Sequence, residues 1–310
     1  MKDTAAIVVT YNRPRLLKEC VKALLAQEKY ACDVIIVDND SDEETWHTVD
    51  SLIADSDRII YHRLARNIGG AGGFAYGIEK AFQQGYDLFW LMDDDVIQRP
   101  DALDTLMHAH IALGGPDGYG FLSGRTVWTD GKLCLMNRQR CGFNTYVSEE
   151  SLKRSEFIGI DQATFVSLLL PRETVVKVGL PYKEYFIWGD DIEYTRRIAV
   201  RNKLRAYLVR DSVCVHKMKD NTGSSIADDN EERIDRYYYA YRNENHLYRR
   251  EPLMFIAYYL PKCFLNLLRI VFRASGYKGK RMGTLLKGFM DGFTFRPQLT
   301  FVPVQKDERS

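Results

Sequence analysis

Three consecutive carboxylates, Asp93-Asp94-Asp95, directly follow the apolar run Leu88-Phe89-Trp90-Leu91-Met92. Adjacent carboxylates repel one another, and a divalent cation relieves that repulsion because hard cations prefer carboxylate oxygen. In an extended segment alternate residues point the same way, so Asp93 and Asp95 are placed to share one ion while Asp94 faces elsewhere. A solvated acidic turn accounts for the same run with no ion. His216 closes a second apolar segment, Leu208 to Val215. A neutral imidazole there can complete a metal site begun by the aspartates, although a lone histidine is more often structural. A second acidic group stands in Trp188-Gly189-Asp190-Asp191-Ile192-Glu193-Tyr194. Acids at a helix start are favoured by the helix dipole. They also suit a general base at the edge of a pocket, here beside Trp188 and Tyr185. Helical spacing puts Asp190 and Glu193 on a similar face and turns Asp191 away.

Arg66-Asn67 precedes Gly69, Gly70, Gly72 and Gly73. This is neither a Walker loop, which needs GK[ST], nor a GxGxxG fingerprint. Glycines let a backbone approach a ligand closely, and a helix N-terminus favours anions. Arg66 adds a charge; a flexible turn is the plain alternative.

The elements that must carry these groups read as alternating strands and helices. Ala5 to Thr10, Asp33 to Val37, Arg58 to Arg63 and Tyr86 to Met92 are short apolar or β-branched runs, the pattern of buried strands. A helix is predicted after Pro14, with Asn12 as its cap, a second over Glu43 to Ala54 and a third over Phe74 to Gln84. Such alternation implies an α/β fold with a mostly parallel sheet covered on both faces. Ligands of these sheets bind beyond the carboxyl ends of the strands. The segments there are Thr10 to Arg13, Asp38 to Ser41, Arg66 to Gly73 and Asp93 to Asp95, the polar punctuation of the chain. Further on, Phe157 to Ile160, Thr164 to Leu170 and Ala206 to His216 read as strands, and a helix begins near Asp190.

The chain has 310 residues, 45% hydrophobic and 27% charged, with a formal net charge of +1. That composition is globular. The near-neutral balance argues against nucleic acid as a partner. The six cysteines form no CxxC pair, so neither a zinc ribbon nor a dithiol site is expected, and reduced thiols in a cytoplasmic compartment are. No run reaches 18 uninterrupted apolar residues, and a membrane-spanning helix is not expected. From about Asp220 the character changes. Asp220 to Glu232 is polar and reads as flexible, and Arg236 to Arg250 holds five tyrosines. Between Arg242 and Lys287 ten basic residues face two acids, a local charge of +8. A basic, aromatic stretch of this kind suits an anionic membrane surface. A helical subdomain or homo-oligomer contact is the alternative, for which the Pro261-Lys262 break predicts two packed helices.

Five motifs stand in a recognisable order: Val8-Val9-Thr10-Tyr11-Asn12-Arg13, Val37-Asp38-Asn39-Asp40-Ser41, Arg66-Asn67-Ile68-Gly69-Gly70, Asp93-Asp94-Asp95 and Trp188-Gly189-Asp190-Asp191. In that order they resemble the inverting glycosyltransferases of family 2, over about residues 4 to 220. The resemblance implies a GT-A catalytic domain over 1–220, followed by a helical, basic and aromatic region over 221–310. It implies a nucleotide-sugar donor held by Thr10, Tyr11, Arg13 and Asp38, with Arg66, Asn67 and Asp94 also in the donor site. Asp93, Asp95 and His216 would hold Mn²⁺ or Mg²⁺. Asp191, with Asp190 beside it, would deprotonate an acceptor hydroxyl, and Trp188 and Gly189 would line the acceptor site.

The glycine segment together with Trp188 to Tyr194 looks most like galactofuranosyltransferases, which use UDP-galactofuranose. Rhamnosyltransferases using dTDP-rhamnose carry a related pattern and are the alternative. The acceptor implied is a cell-surface glycan or its lipid-linked precursor, met by a peripheral enzyme at the inner face of the cell membrane. A non-catalytic glycan-binding or scaffold protein would have lost a metal acid or the base, and none is missing here. A nucleotidyltransferase would need a glycine-rich basic loop near the first strand, and Thr10 to Arg15 has no glycine.

Overall fold

A computed structural model describes residues 2–303. The strands are β1 (Lys2–Thr10), β2 (Asp33–Asp38), β3 (Ile59–Arg63), β4 (Tyr86–Asp93), β5 (Val96–Gln98), β6 (Phe121–Val127), β7 (Arg140–Gly142), β8 (Thr145–Tyr146), β9 (Phe157–Gly159), β10 (Leu168–Pro171) and β11 (Ala206–His216). The helices are α1 (Pro14–Leu25), α2 (Glu43–Asp55), α3 (Gly69–Gln83), α4 (Ala102–Ala112), α5 (Glu149–Arg154), α6 (Arg172–Val178), α7 (Asp190–Arg196), α8 (Glu231–Ile234), α9 (Tyr237–Tyr248), α10 (Pro252–Met254), α11 (Leu260–Arg273) and α12 (Lys278–Thr294).

One sheet runs β3-β2-β1-β4-β10-β6-β11-β5, with β9 paired to β11, while β7 and β8 form a separate hairpin. β1 to β4 are mutually parallel. β10 is antiparallel to both neighbours, so β6 and β11 again run with β4. The carboxyl ends of β1, β2, β4 and β11 therefore share one edge. Successive residues of β1 serve opposite faces: Ile7 and Val9 join one core with Phe74 and Ile78, and Ala6 and Val8 join the other with Leu17 and Val21. This is the alternation of a strand buried on both sides.

Helix α3 starts five residues before Phe74, so the glycine segment is helix and not loop. The reason is close packing. A Cβ on Gly73 would lie 2.6 Å from a Val9 methyl, and one on Gly77 would lie 2.4 Å from an Ile7 methyl. Asn12 does not cap α1. It takes a left-handed φ of 54°, and its Oδ1 accepts from the Asp42 N–H at 2.8 Å, tying the end of β1 to the start of α2. Asp42 in turn caps α2 through the Thr45 N–H at 3.0 Å, a bond of a kind that stabilises a helix by about 1 kcal/mol.

Beyond the sheet, α9 and α12 lie against each other. A Cβ on Gly288 would meet the Tyr238 carbonyl at 2.6 Å, so only glycine permits that approach. Tyr237, Tyr241, Tyr259, Cys263 and Leu285 form the core of this layer, and Ile226 and Ala227 are buried in it, pinning the connection expected to be flexible. Pro261 does not separate two packed helices. The chain is helical from Pro252 to Arg273. A π-type turn over Phe255–Tyr259 widens the helix just ahead of the proline. Such a turn accommodates the missing N–H and the ring. Contrary to the sequence expectation, this 22-residue helix is long and apolar enough to cross a membrane by length and composition.

Candidate active site

Asp93 ends β4, and Asp94 and Asp95 form the turn that leads back into β5. The three acids are thus not one extended segment. The turn, and not strand alternation, sets their directions. β5 pairs antiparallel with β11, bringing Val96 opposite His216. A register shift in β11 between Val209 and Val213 absorbs the polar residues Arg210 and Asp211 in a bulge. Ligating atoms of Asp93, Asp95 and His216 consequently lie within 4.8 Å of one another. His216 Nε2 is 2.9 Å from Asp95 Oδ1, and its Nδ1 is 2.7 Å from Asn137 Oδ1. Asn137 was not singled out in the sequence, because nothing local marks a residue 79 positions away as an imidazole's partner.

The electrostatics are those of crowded acids partly balanced by the chain's own cations. Burial and the Asp95 charge push the Asp93 carboxyl up to about 7, and burial lifts Asp94 to about 6. Burial works the same way on Asp95, but its hydrogen bond to His216 and the neighbouring cations outweigh it and hold this acid below the ordinary range. His216 is raised to about 10: burial opposes the charge, and the bond to Asp95 overrides it. The chain's own cations answer the acids. Arg13 donates from Nη1 to Asp95 at 2.8 Å and to Asp94 at 3.2 Å, and Thr10 donates to Asp94 at 2.7 Å. Two carboxylates and an imidazole are a fitting donor set for Mn²⁺ or Mg²⁺.

The other expected donor residues sit along the same edge. Asp38 is fully buried, accepting from the Ser41 N–H at 2.8 Å and the Tyr61 hydroxyl at 2.6 Å. Tyr11 is exposed, and so is Arg66. Asn67 accepts from the Gly69 N–H at 2.8 Å and so starts α3. Asn39, just past β2, bonds that turn by donating to the Gly69 carbonyl at 3.2 Å.

Asp190 and Asp191 open α7, preceded by a loop with left-handed Phe186, Trp188 and Gly189. The loop is held from two sides. The Ala71 N–H of α3 donates to the Phe186 carbonyl at 3.2 Å. Gly69 abuts the same carbonyl, where a Cβ would come within 2.0 Å. On the other side Asn243 of α9, fully buried, donates to the carbonyls of Trp188 (2.8 Å), Tyr185 (3.0 Å) and Ile187 (3.2 Å). Nothing local to Asn243, 55 to 58 residues away, marks it as the partner of this loop. Trp188 packs edge-on against Tyr237 at 5.0 Å. Glu193 is taken up by Arg197 and Arg201 and is unavailable for chemistry. Burial, then the Asp191 charge, raises Asp190 well above the ordinary carboxyl range, and the field of Asp93 also reaches it. Burial raises Asp191 to about 6, opposed by its bond from the Ile192 N–H. Of the pair, Asp190 is thus the harder to ionise and Asp191 the readier carboxylate.

Residues 5–122 match the family described as Glycosyl transferase family 2. The chain is 31% identical over 226 residues to the galactofuranosyltransferase GlfT1 of Mycobacterium tuberculosis, covering 68% of this chain and 69% of that protein. To GlfT1 of Mycolicibacterium smegmatis it is 30% identical, covering 62% of this chain and 64%, under two thirds, of that protein. A shorter match, 34% identical over 109 residues and 34% of each chain, joins it to a GalNAc(5)-diNAcBac-PP-undecaprenol beta-1,3-glucosyltransferase of Campylobacter jejuni. Among solved structures, GalNAc-T7 with UDP, GalNAc and Mn²⁺ superposes with a TM-score of 0.61 at 14% identity, covering 80% of this chain and 48% of that one. TarS of S. aureus with UDP-GlcNAc gives 0.52 at 14% identity, covering 95% and 73%. These likenesses are of fold, the GT-A fold.

Proposed function

We propose that this chain, which belongs to glycosyltransferase family 2, transfers galactofuranose from UDP-galactofuranose to an acceptor hydroxyl with inversion. The observation that carries this reading is the meeting of the Asp93, Asp95 and His216 donor set with the Asp190-Asp191 loop at one sheet edge, in a chain 31% identical to a galactofuranosyltransferase. Thr10, Tyr11, Arg13, Asp38 and Asp94 hold the nucleoside side of the donor, and Arg66 and Asn67 lie toward its phosphates. Asp93, Asp95 and His216 would hold Mn²⁺ or Mg²⁺, which when bound offsets charge on the leaving diphosphate. Asp191 takes the acceptor hydroxyl's proton at a carboxylate oxygen, and Asp190, the harder of the two to ionise, stands beside it. The hydroxyl oxygen then attacks the anomeric carbon opposite the nucleotide. Trp188 and Gly189 bound the acceptor. The test is thermal: with Mn²⁺ present, UDP should raise Tm and dTDP should not, by the mass-action stabilisation of a bound ligand. A larger shift with dTDP would favour the rhamnosyl reading.

The acceptor reading is a lipid-linked glycan at the cytoplasmic membrane face, consistent with the diphosphate-undecaprenol named for the Campylobacter relative. Along the Pro252–Arg273 helix, Leu253, Ile256, Leu260, Phe264, Leu268 and Phe272 are exposed at three- and four-residue spacing. That is one continuous bare face. No acid occurs between Pro252 and Met290, while seven basic residues do. Binding to anionic liposomes is therefore expected, weakening as salt screens the charge. Phe264→Glu should reduce it about tenfold by removing apolar burial and adding a like charge to the lipid. Undiminished binding of that variant, in a sedimentation assay, would remove this face from the account.

A further inference from the structure

Between the sheet layer and the C-terminal helices lies a cavity of about 180 Å³. Gly189 and Ile192, on either side of Asp190-Asp191, form part of its wall. Across from them stands Arg140, 1% exposed, its guanidinium 5.3 Å from the Tyr146 ring centre and 4.7 Å from that of Tyr258. Its Nη2 donates to the Tyr146 hydroxyl at 3.3 Å, while Nε and Nη1 are buried without a hydrogen-bond partner. Two of the three nearby carboxylates are committed elsewhere. Glu244, also in the wall, accepts from Lys262 at 2.5 and 2.8 Å. Glu251 is bound by Arg196, while Asp161, 3.5 Å from the same arginine, keeps a buried Oδ1 without a hydrogen-bond partner and also feels the charge of Arg140. Among the described residues no acid comes within salt-bridge distance of Arg140, although the field of Asp161 reaches it. A buried, charged group with two idle donors is costly unless something anionic answers it.

We propose that this cavity is an acceptor subsite in which Arg140 binds a phosphate group of a lipid-linked acceptor. The inference rests on the glycosyl-transfer reading for the identity of the ligand, and on the cavity alone for its charge. The source of the phosphate follows from the helix that closes the cavity. Tyr258 belongs to the Pro252–Arg273 helix, whose outer side carries the exposed stripe of Leu253, Ile256, Leu260 and Phe264. A molecule with a phosphate at its polar–apolar boundary places the phosphate against Arg140 and its chain along that stripe, while its glycan extends past Gly189 toward Asp191. A planar fork of donors between two tyrosines suits phosphate oxygen.

Gln162 provides the test. It pairs directly with Arg140 across an antiparallel bridge, lines the same cavity, and leaves its own Oε1 buried without a partner. Gln162→Glu gives Arg140 a built-in carboxylate, since residues directly opposite across an antiparallel pair are neighbours. The probe is geranyl diphosphate, titrated calorimetrically into the full chain in EDTA, with geraniol and inorganic pyrophosphate alongside. The expected result is saturable binding to the native chain, reduced about tenfold or more in Gln162→Glu. That variant should keep or raise Tm and retain Mn²⁺-dependent UDP binding. Arg140→Met, where it folds, should lose the binding too. No binding to the native chain, or undiminished binding to a folded Gln162→Glu, overturns the subsite. Pyrophosphate bound as tightly as geranyl diphosphate overturns the lipid source. Loss of UDP binding in the native chain would instead count against the transferase reading, so the two failures are distinct.

Discussion

Asp191→Asn is expected to lower kcat by about 100- to 10,000-fold with little change in donor binding, the range lost when a positioned general base is removed. The amide keeps the shape and can still accept from the Ile192 N–H, so the fold has no reason to change. Asp190→Asn is expected to cost far less. Burial and the adjacent charge raise Asp190 well above the ordinary carboxyl range, and an amide reproduces the neutral form of such a group. The pH profile follows from the same difference. A base works when deprotonated, and Asp191 sits at about 6, so kcat/KM should fall about tenfold per pH unit below that value and level off above it. Steady-state rates of the two variants from pH 5 to 8 check this. A larger loss in Asp190→Asn would exchange the two roles.

Asp95→Ala is the second large effect: transfer should fall by about three orders of magnitude or more, and the Mn²⁺-dependent Tm shift with UDP should vanish. Charge stabilisation of a leaving diphosphate is worth several kcal/mol, and this carboxylate is one of the three ligand groups. The same change strands His216, 2.9 Å from Asp95, and one of the contacts of Arg13. Removing one partner of a buried pair is destabilising, so a lower Tm is expected, by the equivalent of about 3 kcal/mol. Asp95→Asn, which keeps a hydrogen-bond acceptor for His216, should restore much of Tm while remaining inactive. Turnover retained in either variant contradicts the ligand assignment.

The sheet was legible in the sequence because its strands are short, apolar and bounded by polar turns; β1, β2 and β4 needed only a residue or a few added at their ends. Asp93 and His216 were legible because each ends a strand, where such sheets bind ligands. Long-range fits were not. Gly73 fell in a segment that a flexible turn also explains, ahead of a helix predicted only from Phe74, because sequence does not show Val9 pressing against it. Asn12 read as a helix cap because its bond to the Asp42 backbone spans 30 residues. Pro261 read as a break because nothing local announces a π-type turn ahead of it. Asn243 and Arg140 carry no motif. Their meaning lies in the three loop carbonyls that one holds and the two idle donors that the other presents.

The most direct test is turnover with Mn²⁺ and a short lipid-diphosphate glycan acceptor, comparing UDP-galactofuranose, UDP-galactopyranose and dTDP-rhamnose, with product stereochemistry read by NMR. Turnover of UDP-galactofuranose alone, with inversion at the anomeric carbon, is the expected result. Turnover of dTDP-rhamnose in its place, or a product retaining the donor's configuration, would contradict it.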